Sequence, residues 1–136
     1  MRGVLLDLDG VVCVGDQPVP GAARTVDWLA REGVPYRYLT NTTSAPRQAI
    51  VDKLTGMGIT ASAGQILTPA VAAVAWLERH GIERPALFVP DATAMEFDEL
   101  DPLSDGTEDG GGAVVVGDLG QGWDFTTFNR AFRFRE

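Results

Sequence analysis

The chain of 136 residues contains one cysteine, one lysine and one histidine. A single thiol, Cys13, permits no intrachain disulfide and agrees with a reducing compartment. It reads as a small buried group, since no histidine lies near it in sequence to make a reactive thiolate. His80 ends a helix just before Gly81, where it can meet the last carbonyls and the helix dipole. Positive charge is scarce: 11 Lys and Arg stand against 19 Asp and Glu, a net charge of −8. That balance argues against nucleic-acid binding, which depends on clustered cations. No apolar run approaches the roughly 20 residues needed to cross a bilayer. The N-terminus runs straight into an apolar strand, not a signal peptide, so the expectation is a cytoplasmic protein with no membrane partner. No internal repeat is evident. The acidic run Asp105–Asp109 lacks the ligand spacing of a calcium-binding hand and reads as a solvated loop.

Against these absences, the N-terminus is specific. Val4-Leu5-Leu6 stops at Asp7-Leu8-Asp9-Gly10, which reads as a short buried strand meeting a turn. The period-2 alternation of a strand points Asp7 and Asp9 to one side. Two carboxylates in one small space suit a nucleophile paired with an acid/base, and a divalent cation would relieve their repulsion. A second strand, Tyr36–Leu39, ends at Thr40-Asn41-Thr42-Thr43-Ser44. These hydroxyls and the amide lead into a helix starting near Pro46, and such groups are anion ligands.

Between the two motifs, Ala22, Val26 and Leu29 fall at i, i+4 and i+7, with Pro20 before them and Gly33 after. That pattern predicts an amphipathic helix over Pro20–Glu32. Strand, helix and strand make a βαβ unit with parallel strands, so both motifs sit at carboxyl ends, the edge where open α/β sheets bind ligands. Adjacent strands lie about 4.8 Å apart, which lets Asp7, Asp9 and Thr40 surround one phosphate-sized group. Val11–Val19, with Gly15-Asp16 between apolar residues, reads as a hairpin or flap. Farther on, helices are expected at residues 46–57, Pro69–His80, Thr93–Leu100 and Phe125–Arg135, and strands at Gln65–Thr68, Ala86–Val89 and Ala113–Val116. Phe125, Phe128 and Phe132 share one helix face and, with Trp123, are expected in a core, with a contact surface as the alternative.

The ordered combination resembles the haloacid dehalogenase superfamily, in its 4-nitrophenylphosphatase-like branch. The matching segments are Asp7-Leu8-Asp9-Gly10-Val11, Pro18-Val19-Pro20-Gly21-Ala22, Leu39-Thr40-Asn41 with Ser44, Val114-Val115-Val116-Gly117 and Asn129-Arg130-Ala131-Phe132. The resemblance implies an α/β fold: a Rossmann-like parallel-sheet core, incomplete, over residues 1–83, and the first part of an α/β cap over residues 84–136. It implies a phosphatase of small phosphorylated metabolites in which Asp7 attacks phosphorus and Asp9 is the acid/base. Thr40 and Asn41 would bind the phosphoryl oxygens. Mg2+ would be held by the Asp7 side chain and the Asp9 carbonyl, with Asp7 and Asp9 thus both catalytic and metal residues.

The resemblance also calls for a later lysine and a late Gly-Asp-Asp cluster. Lys53, the single lysine, lies too early, and Gly117-Asp118 matches a cap strand better. The expectation is therefore an N-terminal fragment, inactive alone. A non-catalytic phosphate- or metal-binding module stays open beside the enzyme, as does self-association. A phospho-acceptor receiver domain fits less well, since its acceptor acid should follow a later strand.

Overall fold

A computed structural model describes residues 3–134. They form two compact units, residues 3–42 with 47–68 and residues 43–46 with 69–134.

The first unit is built on a parallel three-stranded sheet. β1 (Val4–Asp7) is followed by a hairpin of β2 (Cys13–Val14) and β3 (Gln17–Pro18), then α1 (Ala22–Arg31), β4 (Tyr36–Leu39), α2 (Arg47–Gly56) and β5 (Ile66–Leu67). The sheet order is β1-β4-β5, with Val4 opposite Tyr36 and Asp7 opposite Leu39. This is the expected βαβ unit, extended by one strand.

α1 forms because its apolar positions recur at helical spacing and bury Val26 and Leu29, which are 2% and 5% exposed. Burying two such side chains contributes about 1.5–3 kcal/mol each. The helix ends at Gly33, whose φ of 64° suits glycine, and Val34 N–H closes onto the Leu29 carbonyl at 3.0 Å. Along β4, Tyr38 is fully buried and meets Tyr36 edge-on at 5.6 Å between ring centres. α2 starts at Arg47, one residue after the proline expected to open it, and turns Ile50 and Leu54 inward.

The second unit contains α3 (Pro69–Arg79), β6 (Ala86–Phe88), α4 (Asp91–Ala94), β7 (Val114–Val116) and α5 (Phe125–Arg133). β6 and β7 pair in parallel, with Ala86 opposite Val114 and Phe88 opposite Val116. Its core gathers Ala70, Leu77, Phe97 and Leu100 against Leu87 and Val115.

Two expectations change here. The helix predicted over Thr93–Leu100 is a short α-helix, α4, running into a 3₁₀ segment, Met95–Leu100. Tighter winding turns both Phe97 and Leu100 inward, at i and i+3, as that geometry requires. The phenylalanines of α5 are not core: Phe125, Phe128 and Phe132 are 86%, 57% and 58% exposed. α5 contributes Arg130 to the interior instead, its guanidinium 4.9 Å from the Phe88 ring centre. Aromatic packing here also includes Trp123, stacked on Phe128 at 4.3 Å and on Phe88 at 6.2 Å, and Phe134, edge-on to Phe88 at 6.2 Å. Residue 135, the expected helix end, lies outside the described residues.

The acidic loop is solvated, as expected, with the Asp105 and Glu108 side chains 94% and 72% exposed while making surface ion pairs. Asp105 lies 3.7 Å from Arg130, and Glu108 lies 3.9 Å from Arg133.

Candidate active site

β1 presents Asp7 as its last residue, on the final rung of the ladder to β4. Exposure alternates from Val4 onward: Leu5, Asp7 and Asp9 are exposed, whereas Leu6 is half-buried and Leu8 buried. Leu8 N–H donates to the Leu39 carbonyl at 3.0 Å, carrying the strand contact one residue past Asp7. A tight turn follows, in which Gly10 N–H donates to the Cys13 carbonyl at 2.8 Å and Val12 and Cys13 N–H both donate to the Leu8 carbonyl at 3.0 Å. These bonds use the Leu8 and Cys13 carbonyls and leave the Asp9 carbonyl outside them.

Thr40 directly follows the rung that faces Asp7, and its N–H donates to the Leu67 carbonyl of β5 at 3.1 Å. It is buried, 5% exposed, and its hydroxyl is engaged within its own loop. Oγ1 of Thr40 donates to Oγ1 of Thr42 at 3.0 Å and accepts Thr42 N–H at 3.1 Å. Asn41, between them, is exposed. Thr42 is a partner that sequence reasoning grouped with the other hydroxyls without giving it a role. Its signal is the i to i+2 spacing at which threonine side chains close turns onto the backbone.

The hydroxyl cluster does not act as one group. Thr43 belongs to the second unit, where its carbonyl accepts from Thr93 Oγ1 at 3.3 Å and its hydroxyl accepts from Asp118 N–H at 3.0 Å. Asp118 itself closes a turn, its Oδ1 accepting Gly120 N–H at 2.8 Å.

Beside the acidic turn, Cys13 is 2% exposed. Burial pushes its thiol above the ordinary value, with the Lys53 charge acting against that and Asp9 and Asp16 adding to it. A protonated thiol in this position is packing, not a nucleophile.

For a cation, the available donors are the Asp7 carboxylate and the Asp9 carbonyl, hard oxygens of the kind magnesium takes while keeping several waters. No cluster of three Asp, Glu, His or Cys side chains able to hold a metal forms among the described residues. The donor set thus fits part of a magnesium shell.

With this geometry in view, a family model of haloacid dehalogenase-like hydrolases matches residues 4–101. The chain belongs to that family. Among individual relatives of this haloacid dehalogenase-like chain, a bovine (Bos taurus) protein named phospholysine phosphohistidine inorganic pyrophosphate phosphatase is 33% identical over 137 residues, covering 98% of this chain and 48% of the relative. The fold matches that of NagD from E. coli K-12 with a TM-score of 0.82 at 22% identity, over 96% of this chain and 51% of that one. A glycerol phosphate phosphatase from Mycobacterium tuberculosis, solved in complex with calcium, is 27% identical with a TM-score of 0.74, over 93% of this chain and 38% of that one. The chain spans about half the length of the curated relatives it matches. Among the described residues, no helix is long and apolar enough to cross a membrane.

Proposed function

We propose that this chain carries the nucleophile and part of the phosphate site of a magnesium-dependent phosphomonoesterase acting on small phosphorylated metabolites. The observation that carries this reading is the Asp7–Leu39 rung, which sets the acid and the residue before Thr40 side by side at the carboxyl ends of adjacent parallel strands. The family match and the phosphatase names of the relatives support it.

In this mechanism an Asp7 carboxylate oxygen attacks phosphorus while the ester oxygen leaves, and Asp9 gives that oxygen its proton. Water then attacks the phosphorus of the aspartyl-phosphate, Asp9 takes the water's proton, and inorganic phosphate departs with Asp7 restored. Thr40 and Asn41 bind phosphoryl oxygens, for which the Thr40 hydroxyl turns its proton from Thr42 Oγ1 to the phosphoryl group. Magnesium, held by the Asp7 side chain and the Asp9 carbonyl, would neutralise charge developing on the transferred group. Residues 1–83 then supply the first part of the catalytic core and residues 84–136 the first part of a cap. The remaining cationic and acidic groups of the site would come from outside these 136 residues, so the chain alone is expected to be inactive.

A non-catalytic phosphate-binding module is the second reading, favoured by the shortage of clustered metal ligands among the described residues. The deciding experiment assays aryl phosphate hydrolysis with magnesium, using this chain and a protein of the relatives' length that contains it. The longer protein should turn over, the chain should not, and Asp7→Asn in the longer protein should bring the rate to background. Phosphate binding without turnover in the longer protein supports the module. Undiminished hydrolysis by Asp7→Asn sinks the nucleophile assignment.

A further inference from the structure

The hairpin that follows Asp9 is short for an element standing in water. Its strands hold two residues each, and hairpins of that size are marginal without support. Its foot is supported. The Gly10 and Cys13 N–H bonds described above tie it to the turn that contains Asp9, and Val12 and Cys13 are buried. Its tip is not. Gly15 leads the turn with a φ of 56°, Val14 is exposed, and the Asp16 side chain is 92% exposed. Among the described residues, the polar contact joining that tip to another element is an ion pair, Lys53 Nζ to Asp16 Oδ1 at 3.5 Å. Lys53 comes from α2 and is the single lysine in the chain.

We propose that Lys53 is a positioning residue: it tethers the Gly15-Asp16 tip to α2, and through the hairpin foot it steadies the main chain at Asp9. The tether stands on geometry alone, while its consequence for catalysis rests on the phosphatase reading above. An exposed pair of this kind shifts an opening equilibrium by no more than about five-fold. Salt weakens it, because the screening length falls to about 3 Å at 1 M. Among the described residues, the hairpin tip is therefore joined to α2 by one screenable polar contact.

The test is amide hydrogen exchange on this chain, read at Val19, whose N–H donates to the Val12 carbonyl at 2.9 Å and closes the hairpin. Exchange there should rise about two- to five-fold in Lys53→Met and in Asp16→Asn. The unaltered chain should show the same rise on going to 1 M salt. Lys53→Arg should keep the slow exchange, and the exchanged pair Asp16→Lys with Lys53→Asp should restore it. The amides of Tyr38 and Leu39 in β4 should not change. Unaltered exchange in both single variants overturns the proposal, as does a rise shared with β4 or a failure of the exchanged pair to restore protection. No turnover enters this readout, so loss of the phosphatase reading would leave the tether standing and the reverse holds too.

Discussion

The hydroxyl of Tyr38 donates to the carbonyl of Thr60 at 2.8 Å, from a side chain with no solvent exposure. That bond links the central strand of the first unit to the segment that leads into β5. Burial, followed by the neighbouring Tyr36, pushes the phenol well above its ordinary value of 10.0. The folded chain therefore holds this proton where the unfolded chain releases it. The contribution of Tyr38 to stability should not vary with pH below pH 10 and should fall as pH rises above it. Tyr38→Phe should remove that alkaline loss. At neutral pH it should cost about 1–3 kcal/mol, because the Thr60 carbonyl loses its donor. Urea unfolding at pH 7 and at pH 10.5 checks both parts.

Thr40→Val should lower stability by about 1–2 kcal/mol, since a buried hydroxyl with two contacts to Thr42 is replaced by a methyl group. Thr40→Ser should keep most of it. If Thr40 also binds phosphoryl oxygens, a protein of the relatives' length carrying Thr40→Val should lose phosphate affinity, measured calorimetrically, and Thr40→Ser should not.

Cys13 should be inert to a thiol reagent in the folded chain at pH 7, because its thiol is buried and held protonated. It should react fully once the chain is unfolded in urea. Rapid modification of the folded chain would show that the hairpin foot opens, a larger motion than release of its tip.

Asp124 caps α5, its carboxylate accepting Thr127 N–H at 2.7 Å. That bond, from the backbone of Thr127, holds the carboxyl below its ordinary value of 3.8. The folded state prefers the charged form, so the contribution is present above pH 3.8 and is lost as acid protonates the group. Asp124→Ala should reduce helix content at neutral pH and flatten its decline between pH 5 and pH 3, followed by circular dichroism. Asp124→Asn should retain more of the cap than Asp124→Ala.

The parts legible in the sequence were those fixed by local chemistry. Val4–Asp7, the Ala22, Val26 and Leu29 spacing and Tyr36–Leu39 each carry one unambiguous period, and together they predict parallel strands with both motifs at their carboxyl ends; the register that sets Asp7 opposite Leu39 came from the structure. The Gly15-Asp16 hairpin was legible for the same reason, a turn pair flanked by strand residues. What escaped were outcomes decided by long-range contacts. The 125, 128 and 132 spacing specifies a stripe but not what covers it, and Arg130 rather than that stripe meets Phe88. Thr43 reads like its neighbours Thr40 and Thr42, yet bonds to Thr93 and Asp118, 50 and 75 residues away. Lys53 carries no motif, and its approach to Asp16 arises only once α2 and the hairpin have folded.

β1 sits at the border of its sheet, joined to β4 on one side, and Leu5 within it is 64% exposed. A border strand offers a row of main-chain donors and acceptors to any extended segment that arrives. The strand that ends in Asp7 is thus one of the two open borders of this sheet, β5 being the other. A segment pairing there would run alongside Asp7 on the side opposite Leu39.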